Sequence, residues 1–199
     1  MKRTMALIGC LILLVMTQSS TTDGHIDQIR EWYKEIEAKV KTCQLVETEG
    51  EYFEGTTPEV KGWYEKETEQ FIKIECYMGA DHHEETVSYY LNNGIVFFTF
   101  TEGTGVDEFH TAEDMGMGED EYWESGMEAK TYDSWEDRLY FHDEKCIRSL
   151  HRSNIYKVGD ALSFKGVDNE NAEIDPDAYI IATEHAGWYL DYLKKKMAE

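Results

Sequence analysis

"SYYLNNGIVFFTF", residues 88–100, decides the fold of this chain. Asn93-Gly94 stands at its centre. A two-residue type I′ turn needs φ > 0 at both central positions, and Asn followed by Gly meets that need at least cost. Aromatic and β-branched residues crowd both sides, as strands prefer. Placing the turn there pairs Leu91 with Val96, Tyr89 with Phe98 and Val87 with Phe100. Those residues then share one face, and all are apolar or aromatic. The other face, with Ser88, Tyr90, Asn92, Ile95, Phe97 and Thr99, is mixed. A register that sorts residues this way predicts a core hairpin whose chemistry is hydrophobic burial.

The same pattern recurs downstream. "RLYFHDEKCIRSL", residues 138–150, can be laid over 88–100 without a gap, so that Tyr90 falls on Tyr140 and Phe97 on Ile147. Its turn would be Asp143-Glu144, which lacks the glycine, and Arg148 would land on the core face. "FIKIECYM" (71–78) alternates, with Ile72, Ile74, Cys76 and Met78 pointing one way. A shorter pair of strands around "EVKGWYEKETEQFIKI" (59–74) makes a third hairpin.

On either side the period changes. In "GHIDQIREWYKEIEAKVKT" (24–42), Ile26, Ile29, Tyr33, Ile36 and Val40 step by 3, 4, 3 and 4, one face of a helix that Asp23 can cap. "DPDAYIIATEHAGWYLDYLKKKM" (175–197) opens with Asp175 as cap and Pro176 at the first helical position. Tyr179, Thr183, Ala186, Leu190, Leu193 and Met197 make its stripe. The expected fold class is therefore α+β: an antiparallel β-meander sheet flanked by an N-terminal and a C-terminal amphipathic helix.

The chain has 199 residues and 41% hydrophobic content, which suits one domain. Residues 21–199 are read as that domain. The Gly-rich acidic stretch 102–128 is read as an exposed insertion, and 166–177 as a second exposed loop. Acidic residues number 41 and basic residues 19, for a net charge of −22. That excess repels phosphates and anionic membranes, so nucleic acid is excluded as a partner.

"MKRTMALIGCLILLVMTQSS" (1–20) has a basic start, an apolar run from Met5 to Met16, and small polar residues after it. This is the layout of a secretory signal, and the run is too short to span a bilayer. The protein is expected outside the cytoplasm, in the periplasm, in the cell envelope or secreted, with cleavage near Ser19 or Ser20 and no transmembrane span in the mature chain. "LIGC" (7–10) offers the alternative of a lipoprotein with lipid on Cys10, although the apolar run continues past it. Export permits disulfides. Cys43, Cys76 and Cys146 are odd in number, so at most one bridge forms, and buried free thiols are the simpler reading.

Catalytic and cofactor motifs are mostly missing. Gly103-x-Gly105 and Gly116-x-Gly118 lack the third glycine of a dinucleotide fingerprint. "DHHEE" (81–85) reads as a solvated turn between strands. In "VDNENAEIDPD" (167–177), Asp168, Glu170 and Asp175 supply oxygen ligands, but the spacing and the glycine of a calcium loop are absent. No cofactor is expected, with calcium as a loose alternative.

The hairpins "VSYYLNNGIVFFTF" and "DRLYFHDEKCIRSL", the "IDQIREWYKEIEA" helix and the export signal together resemble a loose group of small exported bacterial proteins of unassigned function, often lipid-anchored. In that group a hairpin of MORN-like character recurs. The resemblance spans roughly residues 25–150 and implies location and architecture, with no catalytic residues to carry over. Glu144 departs from it, standing where a turn glycine is expected.

The function expected from these readings is non-enzymatic binding of a protein, peptide or glycan. Tyr90 beside Phe97, and Tyr140 beside Ile147, would form the binding face if no helix covers them. The alternatives are an acidic inhibitor or immunity-like protein docking on a basic partner, and, less favoured, a carboxylate- or metal-dependent hydrolase.

Overall fold

The computed structural model describes residues 22–51 and 56–199. The expected meander is there, and it is longer than the sequence suggested. Eight strands follow one another in sheet order, every pair antiparallel. They are β1 (Gln44–Glu49), β2 (Glu59–Glu65), β3 (Gln70–Ala80), β4 (His83–Asn92), β5 (Ile95–Phe109), β6 (Ala129–His142), β7 (Lys145–Lys157) and β8 (Glu170–Asn171). Helix α1, residues 22–39, lies on one face of the sheet. Helices α2 (Ala112–Met115) and α3 (Glu119–Ser125) sit between β5 and β6, and α4 (Ala178–Met197) covers the other face. Among the described residues no helix is long and apolar enough to cross a membrane.

Both faces are therefore buried, and the hairpins serve both through a shared irregularity. Asn93 (φ 52°) and Gly94 (φ 77°) make the expected turn, and Leu91 pairs with Val96. The register then slips by one, because Phe97 is an extra residue with no partner of its own. Tyr90 pairs with Phe98, Tyr89 with Thr99 and Val87 with Thr101. The pairings of Tyr89 with Phe98 and Val87 with Phe100 are thus corrected by a β-bulge, which inserts one residue and re-aims those beyond it. Tyr89, Leu91 and Val96 face α4, while Tyr90, Phe97 and Phe98 are buried against α1 with Phe100 beside them.

The 138–150 hairpin repeats this arrangement residue for residue. Phe141 pairs with Cys146, Ile147 is the extra residue, and Tyr140 pairs with Arg148. Its turn keeps the same shape without a glycine: Asp143 and Glu144 both have positive φ, 48° and 58°. The left-handed conformation costs a non-glycine residue about 1 kcal/mol or more. The third hairpin has a longer turn and the same slip, with Tyr64 opposite Phe71, Ile72 extra, and Trp63 opposite Lys73. One row of paired residues results on the α1 face: Trp63, Lys73, Tyr90, Phe98, Tyr140 and Arg148. Lys73 Nζ lies 4.9 Å from the Trp63 ring centre and 5.2 Å from that of Tyr90, so its charge rests on aromatic faces. Arg148 falls on the α1 face, not on the face of Leu91 and Val96, for the same reason that Phe98 does.

The helices follow from their stripes with small shifts. Ile26, Ile29 and Ile36 of α1 are buried, and Tyr33 stays at the rim. On α4 the buried line is Ala178, Ala182, Ala186, Tyr189 and Leu193, and Met197 is exposed. Asp175 does not cap α4 directly. Its Oδ1 accepts from the Asp177 amide at 2.8 Å, in a turn that leads into the helix. Three alanines let the helix approach the sheet, and Gly62 completes the approach. A Cβ there would stand 2.5 Å from Leu193 Cδ1 and 2.7 Å from the Phe71 ring.

The region expected as an insertion from residue 102 is partly sheet. β5 runs on through Phe109, and Gly103 pairs with Trp135, whose indole occupies the space a side chain at 103 would need. Its glycine serves aromatic packing within the sheet. Only residues 110–128 leave the sheet, carrying α2 and α3. The leader, with Cys10 and Ser19–Ser20, lies outside the described residues.

Candidate functional site

Tyr90, Phe97, Tyr140 and Ile147 do come together, but under α1. Tyr90 and Phe97 are only 2% and 4% exposed, Tyr140 is also buried, and Ile147 packs half-buried against the same cluster. Trp32 of α1 meets Phe97 edge-on at 5.4 Å, and the Tyr90 hydroxyl donates to Glu37 Oε1 at 2.9 Å. The expectation of an open aromatic platform at these residues is corrected: α1 supplies the apolar cover, and Glu37 takes the one polar group that burial would otherwise strand.

An open aromatic site lies instead on the α4 face, near the end of β4 that begins at His83. On a helix, residues three and four apart share a face. His185, Trp188, Tyr189 and Tyr192 therefore form one edge of α4. That edge faces Met78 of β3 and Glu85, Val87 and Tyr89 of β4, with Glu51 and Pro58 at the rim. The space between them is about 670 Å³, within the range of small-molecule and peptide pockets. Tyr189 is buried and sets the depth of the groove, its ring 5.9 Å from that of Tyr89. Trp188 is 56% exposed, and the His185 ring lies against it at 4.9 Å. An indole this open beside a groove leaves apolar area uncovered.

Burial shapes the ionisation of this site. It raises the Glu85 carboxyl above its ordinary range; His83 opposes the shift and Asp137 adds to it. It also drives the Tyr89 and Tyr189 phenols upward, with each other's charge as a further cause for Tyr89, so both are neutral at physiological pH. The Cys76 thiol beneath Tyr189 is pushed up to about 11 by burial. A reactive cysteine needs a lowered pKa, so Cys76 is a packing residue here and not a nucleophile. The groove thus presents aromatic faces, a neutral depth and two carboxylates, Glu51 and Glu85. Such a surface attracts a positive charge carried on an apolar stem, because ring faces and carboxylates both favour cations.

The other residues singled out in the sequence are placed elsewhere. Asp81 and His82 form the turn into β4, where His82 meets Phe109 at 5.1 Å and His83 meets Trp135 at 5.2 Å. Glu170 belongs to β8, and Asp175 holds the turn before α4. Among the described residues no group of three or more His, Cys, Asp or Glu side chains is placed to hold a metal ion. Cys43, Cys76 and Cys146 are all free. The groove residues carried a sequence signal that stripe reading passed over: four aromatic or imidazole residues within eight positions of one helix, more than one buried stripe can absorb.

No family model, curated protein or solved structure matches this chain.

Proposed function

We propose that this is an extracytoplasmic, non-enzymatic interaction protein that captures a basic, apolar segment of a partner polypeptide in the groove between α4 and the sheet. The leader pattern of residues 1–20 supports the location. One observation carries the binding assignment: Trp188, open to solvent, stands beside a groove of about 670 Å³ whose acidic lining residues, among the described ones, are Glu51 and Glu85. The net charge of −22 adds long-range attraction for a basic partner.

Fluorescence tests this directly. An acetylated peptide of alternating lysine and leucine is titrated into the protein, with a glutamate–leucine peptide as control. The basic peptide changes the indole emission saturably, the acidic one does not, and added salt weakens the effect. Trp188→Ala lowers the affinity by about tenfold or more, the size expected of an aromatic anchor. Equal binding of both peptides, or full affinity in Trp188→Ala, would refute the assignment.

A further inference from the structure

In a cleft on the opposite face of the sheet the charge chemistry is reversed. Four arginines occur among the described residues, Arg30, Arg138, Arg148 and Arg152, and all are on the α1 side. In β6, Glu136, Arg138 and Tyr140 share that side by alternation, as do Arg148, Leu150 and Arg152 in β7. A cleft of about 370 Å³ opens there between α1 and the sheet, lined by Arg30, Tyr33 and Lys34 above and by Phe98, Phe100, Arg138 and Tyr140 below. Among the described residues no carboxylate lines it, although acidic residues outnumber basic ones about two to one in the chain.

The cations of this cleft are available in different degrees. Among the described residues, Arg30 and Lys34 pair only with Asp27 and Glu31 of their own helix, at 3.1 and 2.7 Å, with every partner largely exposed. Exposed pairs of this kind contribute little and exchange readily for another anion. Arg138 is held by Glu136 and Asn169, and its guanidinium lies over the Phe100 ring at 5.0 Å, so it is a fixed charge at the cleft floor. Arg148, half-buried beside Tyr140 in the register, makes none of the ion pairs found among the described residues. Tyr33 meets Phe98 edge to face at 5.5 Å, and Phe98 lies tilted against Tyr140 at 5.0 Å, aromatic packing that another flat ring can extend.

We infer that this cleft is a second binding site, independent of the groove at α4, for a small aromatic carboxylate. The ring packs between Tyr33 and Phe100, above the buried Phe98 and Tyr140, and the carboxylate is taken by the guanidinium of Arg30 and the ammonium of Lys34. Guanidinium and carboxylate match in geometry, and a partly apolar surrounding strengthens the charge-assisted bond.

Amide chemical shifts of the purified protein, followed during titration with 2-naphthoate, test the inference. The expected result is saturable shifts at residues 30–34 and 138–140, with residues 185–192 unmoved. 2-Naphthylmethylamine, which has the same ring and the opposite charge, leaves the cleft residues unshifted. Arg30→Gln combined with Lys34→Gln, both exposed and so harmless to the fold, weakens 2-naphthoate by about tenfold. The inference is overturned by the absence of shifts in the cleft up to about 10 mM ligand, by equal binding of the amine, or by full affinity in the double variant. Basic-peptide binding at α4 uses other residues, so either assignment can fail alone.

Discussion

The α4 groove and the α1 cleft are cut from the same sheet by the same device, yet they present opposite charges. Each hairpin sends the residues next to its turn toward α4, as Leu91 and Val96 show, and uses its bulge to send the next group toward α1, as Tyr90, Phe97 and Phe98 show. The repeat thus sets where rings stand on both faces. The helices and strand ends set the charge: α4 brings Trp188 and His185 over Glu85, whereas α1 brings Arg30 and Lys34 over Arg138. The comparison teaches that backbone periodicity placed the aromatic surfaces, and that a few unrepeated residues decide what each surface attracts.

Breaking the α1 side of that pattern should have the largest effect. Phe97 is the extra residue of its bulge, buried against Trp32. Phe97→Ala is expected to cost about 3–5 kcal/mol, the usual range for a buried aromatic, measured by chemical denaturation. A loss under about 1 kcal/mol would mean that α1 is not a real cover. On the α4 side, Gly62→Ala forces a methyl against Leu193 and Phe71. Overpacking of this kind costs about 1–3 kcal/mol, and the unfolding midpoint in urea should fall accordingly. An unchanged midpoint would place α4 further from the sheet than described.

The two superposable hairpins differ at both turn residues, and the second of these gives a sharper test. Gly94 and Glu144 occupy equivalent positions, both with positive φ. Glu144→Gly removes the left-handed strain and should stabilise the protein by about 0.5–1 kcal/mol, after allowing for the extra freedom glycine has when unfolded. Gly94→Glu should do the reverse. Equal stability in both variants would show that the hairpins are not equivalent at their turns.

The smallest effect is electrostatic. Burial holds the Glu85 carboxyl above its unfolded value of about 4.3. As pH rises through the window between those two values, the unfolded chain gives up its proton first, so stability falls. Glu85→Gln removes that loss, and its melting temperature at neutral pH should exceed that of the parent. The same variant should flatten the pH dependence of basic-peptide binding, which otherwise strengthens as Glu85 ionises. A lower melting temperature in the variant would show that the carboxylate is stabilised where it stands.

Much of the architecture was legible before any coordinates. The Asn93-Gly94 turn, the gap-free overlay of 88–100 on 138–150, and both helices rest on local patterns with physical causes. The bulge was not legible, because Ile95, Val96, Phe97 and Phe98 are all apolar. The slip carries Thr99 into the core, opposite Tyr89 and 4% exposed, but a β-branched threonine suits a strand on either face and gives no warning in the sequence. That slip moved Phe98 and Phe100 to the α1 face. Tyr90 and Phe97 looked like surface residues because Ser88 and Asn92 share their face, yet the isoleucines of α1 cover them. The groove escaped notice because its parts are far apart in sequence: Glu85 belongs to a segment that reads as a turn, and Trp188 lies off the apolar stripe. Tertiary placement alone joins them.

The most direct test of opposite charge chemistry in the groove and the cleft uses both probes in one sample. Amide shifts of the protein are recorded with the lysine–leucine peptide, with 2-naphthoate, and with both together. The expected result is that the peptide moves residues 185–192 and 85–89, 2-naphthoate moves residues 30–34 and 138–140, and neither displaces the other. Overlapping shifts, or competition between the two, would contradict the account.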